Sequence, residues 1–152
     1  LNLMLGNVSV NDSKGRISIN KDMDEAAMLT YPFFAINGSF DDNLYGIAAD
    51  KELAELLRVD FMDKEITANP ANLSYGQQQK LALIRVFGTD APILFLDEPL
   101  SNLDVETQEK VVQHIVKLKG QKSILVVMHS DELDEMADGI VEIRDRKMGL
   151  RG

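Results

Sequence analysis

The stretch APILFLDEP, residues 91–99, decides the fold. It is a short, unbroken apolar run ended by two acids and a proline. Such a run reads as a strand buried on both faces, as in a parallel sheet. A second run of the same kind, SILVVM at 123–128, is ended by His129. Between them, 105–119 carries Val111, Ile115 and Leu118 at helical spacing, with Asp104 placed to cap it. Upstream, 77–87 reads as a helix with Leu81, Ala82, Leu83 and Ile84 apolar, and 51–58 sets Leu53, Leu56 and Leu57 on one helical face. Strands alternating with helices predict an α/β sheet with flanking helices.

The outer segments extend the pattern. Residues 15–20 alternate, with Ile17 and Ile19 on one face of a short strand, and 25–34 is apolar until Pro32. The segment 37–46 is turn-rich, and Asn69, Pro70 and Asn72 break the chain. Ser130 is placed to cap a further helix with Asp131 and Glu132 in its first turn, and 140–143 closes as a last strand. His114 is expected on a helix surface, the methionines in packing roles, and Tyr31, Phe33 and Phe34 in core or at a docking surface.

Bulk properties bound the function. The 152 residues make one ordinary domain, 45% hydrophobic and 27% charged, which is a globular composition. A net charge of −9 argues against a nucleic-acid partner, whose recognition needs clustered Lys and Arg. With no cysteine there is neither a disulfide framework nor a thiolate metal site. The longest apolar runs are too short to span a bilayer, and no secretory signal is evident.

Ligands of parallel sheets collect at the C-terminal ends of strands. Asp97 and Glu98 end one strand and His129 follows another. Asp97 there suits Mg²⁺, a hard ion that keeps its waters. Glu98 is placed to polarise an attacking water and His129 to meet a terminal phosphate. Each acid alone also reads as a solvated strand end. In LSYGQ, residues 73–77, Ser74 offers a hydroxyl, Gly76 a bare backbone N–H, and the following helix its positive end. The bland reading of that pentapeptide is a helix cap.

Taken in order, these motifs resemble the nucleotide-binding domain of ATP-binding cassette (ABC) transporters, of the exporter-like kind, over nearly the whole chain. Residues 73–77 look like the signature motif, 93–99 like the Walker B strand with its catalytic glutamate, 101–104 (SNLD) like the D-loop, and His129 like the switch histidine. Residues 32–44 are similar to the segment following the Q-loop. The resemblance implies an incomplete P-loop NTPase fold in which about 39–88 form a helical, signature-bearing subdomain and about 89–152 belong to the core.

It implies ATP and Mg²⁺ as ligands, with Glu98 and His129 catalytic and Asp97 on the metal. Two domains would pair head to tail. Ser74, Gly76 and Gln77 would grip the γ-phosphate of an ATP held mainly by the second domain, and Asp104 would link the two sites. A transmembrane domain is the implied further partner, with the chain at the cytoplasmic face of the membrane. The phosphate loop G-x-x-x-x-G-K-[ST] does not occur in the 152 residues. Residues 1–6, LNLMLG, look like the helix that follows it, so the chain is expected to start just after the Walker A lysine. Thr30 takes the place of the Q-loop glutamine, and Tyr75 that of the commoner signature glycine. The segment 61–72 is shorter than its exporter counterpart. Two other readings stay open: a soluble ABC ATPase of ribosome or DNA type, and a non-catalytic remnant that only pairs with a complete cassette.

Overall fold

The computed structural model describes residues 25–29, 31, 33–48, 50–69, 71–144 and 147–151. The strand expected at 15–20, the helix at 1–6 and Thr30 lie outside them.

Among the described residues, the apolar run at 93–97 is the middle of a three-stranded parallel sheet. Strand β1 (Ala26–Leu29) pairs with β2 (Ile93–Asp97) from Ala26↔Ile93 to Leu29↔Leu96. On its other side β2 pairs with β3 (Ser123–Val127), from Ile93↔Ser123 to Asp97↔Val127. Leu94, Phe95 and Leu96 are buried, as an apolar run without alternation requires. Strand β3 is covered less. Ile124 and Val126 pack against the core, while Leu125 and Val127 are 40% and 37% exposed. Its run predicted burial on both faces. Among the described residues only one face is packed, because alternate side chains leave a strand in opposite directions.

Three helices follow the sequence closely. Helix α1 (Lys51–Leu56) is capped by Asp50, whose carboxylate accepts from the Leu53 N–H. Helix α2 (Tyr75–Phe87) buries Leu81, Ala82, Leu83, Ile84, Val86 and Phe87. Helix α3 (Val105–Leu118) buries Thr107, Val111 and Ile115 and is capped by Asp104. One hydrophobic cluster runs from Phe40, Leu44, Leu57, Phe61 and Ile66 through α2 to Leu94, Leu96, Val111 and Ile115. Phe40 and Phe61 meet edge to face at 5.8 Å. No helix among the described residues is long and apolar enough to cross a membrane.

The structure differs from the sequence expectation in three further places. No helix follows Ser130; a single 3-10 turn, Asp134–Met136, stands there instead. Asp131, Glu132, Asp134, Glu135 and Asp138 are crowded into this segment, and like charges at helical spacing repel. Ser130 instead bonds the Glu132 carboxyl, holding its pKa below the usual carboxylate value. The closing strand, β4 (Ile140–Arg144), does not extend the parallel sheet. It forms an antiparallel pair with β5 (Lys147–Arg151), a strand the sequence reading lacked. His114 is half-buried, its ring tilted on Phe87 at 4.7 Å, and burial pushes its pKa down.

A polar knot also lies inside the core. Asn43 is fully buried, donates to the Ile36 and Ser39 carbonyls and accepts from the Ile36 N–H. Arg85 reaches back from α2 to donate to the Asn43 and Phe34 carbonyls, its guanidinium lying over the Phe33 and Tyr45 rings. These bonds fold the 33–45 segment against the helix, and burial lowers the Arg85 pKa. Replacing Asn43 with Leu would orphan buried backbone groups at about 1–3 kcal/mol each. Asn43→Leu is therefore expected to lower stability by roughly 2–5 kcal/mol, read from the urea midpoint, although it adds apolar bulk.

Candidate nucleotide site

Parallel pairing of β2 with β3 sets two strand ends side by side. The ladder gains one bond past the last pair, from the Glu98 N–H to the Val127 carbonyl at 2.9 Å. Glu98 and His129 then face each other, with His129 Nε2 3.7 Å from Glu98 Oε1. That oxygen is buried and has no hydrogen-bond partner among the described residues. The Glu98 side chain as a whole is 39% exposed, and a carboxylate that water can reach with an acceptor left unclaimed is what a general base needs. The His129 side chain is 94% exposed, free to reach a ligand. Asp97 sits one residue earlier, half-buried at the end of β2.

The residues fit an ion held mostly by others. Among the described residues, no three acidic, His or Cys side chains form a metal cage. Mg²⁺ at nucleotide sites typically uses one or two carboxylates, its waters and the phosphates, which suits a single Asp97.

The start of α2 is built from its own residues. Ser74 Oγ accepts from the Gln77 N–H at 3.2 Å, and Gln77 Oε1 accepts from the Ser74 N–H at 3.1 Å, a reciprocal cap. Gln77 also donates to Asp60 at 3.1 Å. The cap reading of LSYGQ is thus correct, and it leaves room for the other. A serine hydroxyl that accepts still has its proton to donate. Helix geometry gives the Tyr75 and Gly76 N–H groups no carbonyl within the helix. Tyr75 is exposed beside them.

Gly76 shows why a bare backbone stands here. A Cβ at this position would lie 2.7 Å from the Asn102 carbonyl oxygen. The start of α2 is therefore packed on the loop that leaves β2. That loop holds two non-glycine residues in the left-handed region, Glu98 at φ 49° and Asn102 at φ 59°. Each such conformation costs about 1–3 kcal/mol unless its surroundings enforce it. Gln79 donates to the Glu98 and Pro99 carbonyls, both at 3.1 Å. Gln108 donates to the carbonyls of Leu100 at 3.1 Å and Leu103 at 3.2 Å. Both glutamines escaped the sequence reading. Their signal was spacing: Gly76 and Gln79 share a helix face at i, i+3, and Gln108 follows Asp104 by four.

Asp104 closes the loop. Its two carboxylate oxygens accept from the Thr107 N–H at 3.0 Å and the Thr107 hydroxyl at 2.7 Å, and these bonds hold its pKa below the usual value. Away from these strand ends, Phe33, Phe34, Ala35, Ile66, Ala68 and Leu73 line an apolar groove of about 240 Å³.

The geometry brings Asp97, Glu98 and His129 together at one end of the sheet. It sets Ser74, Gly76 and Gln77 at the start of α2, beside the loop that leads to Asp104. Gly76→Ala tests the contact between them. In an open helix this change stabilises by about 1 kcal/mol. Here a methyl must displace a backbone carbonyl, so a loss of about 1–3 kcal/mol is expected in thermal or urea unfolding.

Comparison with known proteins identifies the family. The model of the ABC transporter family matches residues 2–101. A probable ABC transporter ATP-binding/permease protein of Haemophilus influenzae is 27% identical over 139 residues, 82% of this chain and 25% of that protein. The ATP-dependent lipid A-core flippase of Vibrio vulnificus is 37% identical over 91 residues, covering 60% of the chain and 16% of the flippase. The chain thus spans a quarter or less of these relatives. Among solved structures, an archaeal ribosome recycling factor, crystallised with the ribosomal stalk protein aP1, superposes with a TM-score of 0.72 at 27% identity. That match covers 92% of this chain and 28% of the factor. The chain belongs to the ABC transporter family, as part of a nucleotide-binding domain of exporter-like sequence.

Proposed function

We propose that the chain is part of the ATP-hydrolysing engine of a membrane transporter, working as one half of a head-to-tail pair of nucleotide-binding domains. The observation that carries this reading is Glu98 Oε1, without a hydrogen-bond partner among the described residues, one residue past β2 and 3.7 Å from His129. On this reading Glu98 accepts the proton of the attacking water, and the exposed His129 meets the terminal phosphate. Asp97 holds Mg²⁺, which when bound offsets phosphate charge.

Ser74, Gly76 and Gln77 serve the nucleotide of the second domain, through a hydroxyl and N–H dipoles at the positive end of α2. Asp104, capping α3 where the loop ends, stands at the link between the two sites. The division follows the resemblance, with 39–88 as the signature-bearing subdomain and 89–152 as core. The apolar groove beside Phe34 is the surface for an apolar segment of the transmembrane partner, which sets the domain at the cytoplasmic face. The similarity to a flippase at 37% identity supports transport over a ribosomal role. The net charge of −9 supports the same choice, since it offers no broad basic surface.

Glu98→Gln in the full-length protein is expected to keep ATP binding and lower turnover by about 10²–10⁴-fold. Turnover like the parent's would move the base elsewhere. The 152-residue chain by itself, having no G-x-x-x-x-G-K-[ST] sequence, is expected to bind ATP only weakly. Submicromolar affinity by calorimetry would contradict this.

The division of labour between subunits is tested in mixed full-length dimers. With Ser74→Arg in one subunit and Glu98→Gln in the other, one composite site keeps both an intact base and an intact signature, and turnover survives. With both changes in the same subunit, each site loses one part and turnover falls in both. Equal residual rates in the two arrangements would refute a signature that works across the interface.

A further inference from the structure

Gln79 is an uncharged side chain that no step of the proposed chemistry uses, yet its contacts converge on the catalytic backbone. Its amide nitrogen lies 3.1 Å from two carbonyl oxygens at once, those of Glu98 and Pro99. Two acceptors fix the orientation of the amide, because its oxygen turned the same way would face both with no hydrogen to share. The Glu98 carbonyl takes a second bond from the Ser101 N–H, also at 3.1 Å, and the Glu98 N–H is held by Val127. Glu98 itself is at φ 49°, a conformation a glutamate does not keep unless its neighbours enforce it.

We propose that Gln79 is a positioning residue. By gripping the Glu98 and Pro99 carbonyls it holds the left-handed turn that aims the Glu98 carboxylate toward His129. The proposal rests on the reading of Glu98 as general base and deepens it. Gln79 stands one helical turn beyond Gly76, whose backbone packs on Asn102 of the same loop. The signature end of α2 and the catalytic glutamate are therefore clamped twice within one chain. Since those two features serve different composite sites, a shift of α2 at one nucleotide is transmitted to the base at the other.

The test replaces Gln79 with Met, which keeps length and packing but has no donor. In the full-length protein the turnover number is expected to fall by about 10–10²-fold, as for a misplaced catalytic group, with KM for ATP changed less than about twofold. In a Glu98→Gln background the same change should cost almost nothing more, because both act through one group. Hydrogen exchange at the Glu98 and Ser101 amides should quicken, while the Leu53 amide, bonded to Asp50, stays as it was.

Unchanged turnover, an equal loss in both backgrounds, or unchanged exchange at Glu98 and Ser101 would each overturn the proposal. If Glu98→Gln alone turns over normally, the reading of Glu98 has failed, and exchange still reports separately whether Gln79 holds the loop. Gln79→Asn, one methylene too short to reach both carbonyls, serves as the second variant should the Met protein not fold.

Discussion

The Asn102 carbonyl oxygen occupies the space that a side chain at position 76 would need. That contact draws the start of α2 onto the loop leaving β2, and the local architecture follows from it. A helix that begins against a loop must satisfy its first N–H groups without a neighbour's help, hence the reciprocal cap of Ser74 and Gln77. A loop pressed by a helix end cannot take relaxed backbone everywhere, hence the left-handed Glu98 and Asn102, the second being the contact residue itself. Gln79 and Gln108 then bond the loop's carbonyls from the two helices that flank it. Local strain is thereby offset by bonds that only this packing permits.

The sheet contributes register. Because β2 and β3 are parallel and Asp97 pairs with Val127, the bond from Glu98 to Val127 carries the ladder past the strand end. Glu98 and His129 both lie past the last ladder pair, and the left-handed turn at Glu98, not the pleat, leaves its carboxylate 3.7 Å from His129. A slip of one residue in either strand would offset the two strand ends by about 3.3 Å and carry Glu98 and His129 apart. The buried run 94–96 prevents that slip, since a shift would also misplace Leu94, Phe95 and Leu96 in the core.

Much of this was legible in the sequence because it rests on local signals. The runs at 93–97 and 123–127, the caps Asp104 and Ser74, and the apolar faces of α2 and α3 are written in adjacent residues. The proposed site residues Asp97, Glu98 and His129 stand out in the sequence because strand ends are where such sheets present chemistry. What stayed hidden depends on contacts between distant segments. Strand β5 exists by pairing with β4, and its own alternation is interrupted by Gly149. His114 looked like a surface residue until Phe87, from another helix, came to lie against it. Asn43 sat in a turn-rich stretch whose polarity signalled exposure, yet it became the hub of the core's polar knot. The segment 131–138 misled in the other direction: a good cap and acidic first turn invite a helix, but only Leu133 and Met136 are there to anchor one.

Charge supports the proposed pairing. Asp97 and Glu98 make the strand-end site negative, which alone repels a nucleotide. Among the described residues, Arg58 and Lys110 pair with Glu106 at 2.6 and 3.1 Å, and Lys80 donates to the Arg58 carbonyl at 3.1 Å. What Ser74 and the first turn of α2 offer an anion is dipolar, a hydroxyl and N–H groups at a helix terminus. Dipoles of that kind are weak against water and strong once water is excluded. A grip of this sort becomes effective when a second surface closes over the nucleotide. The same closure would bring phosphate to a helix that is tied through Gln79 to the chain's own base. Binding at one site and chemistry at the other then depend on one rigid piece of protein, α2 with the loop it clamps.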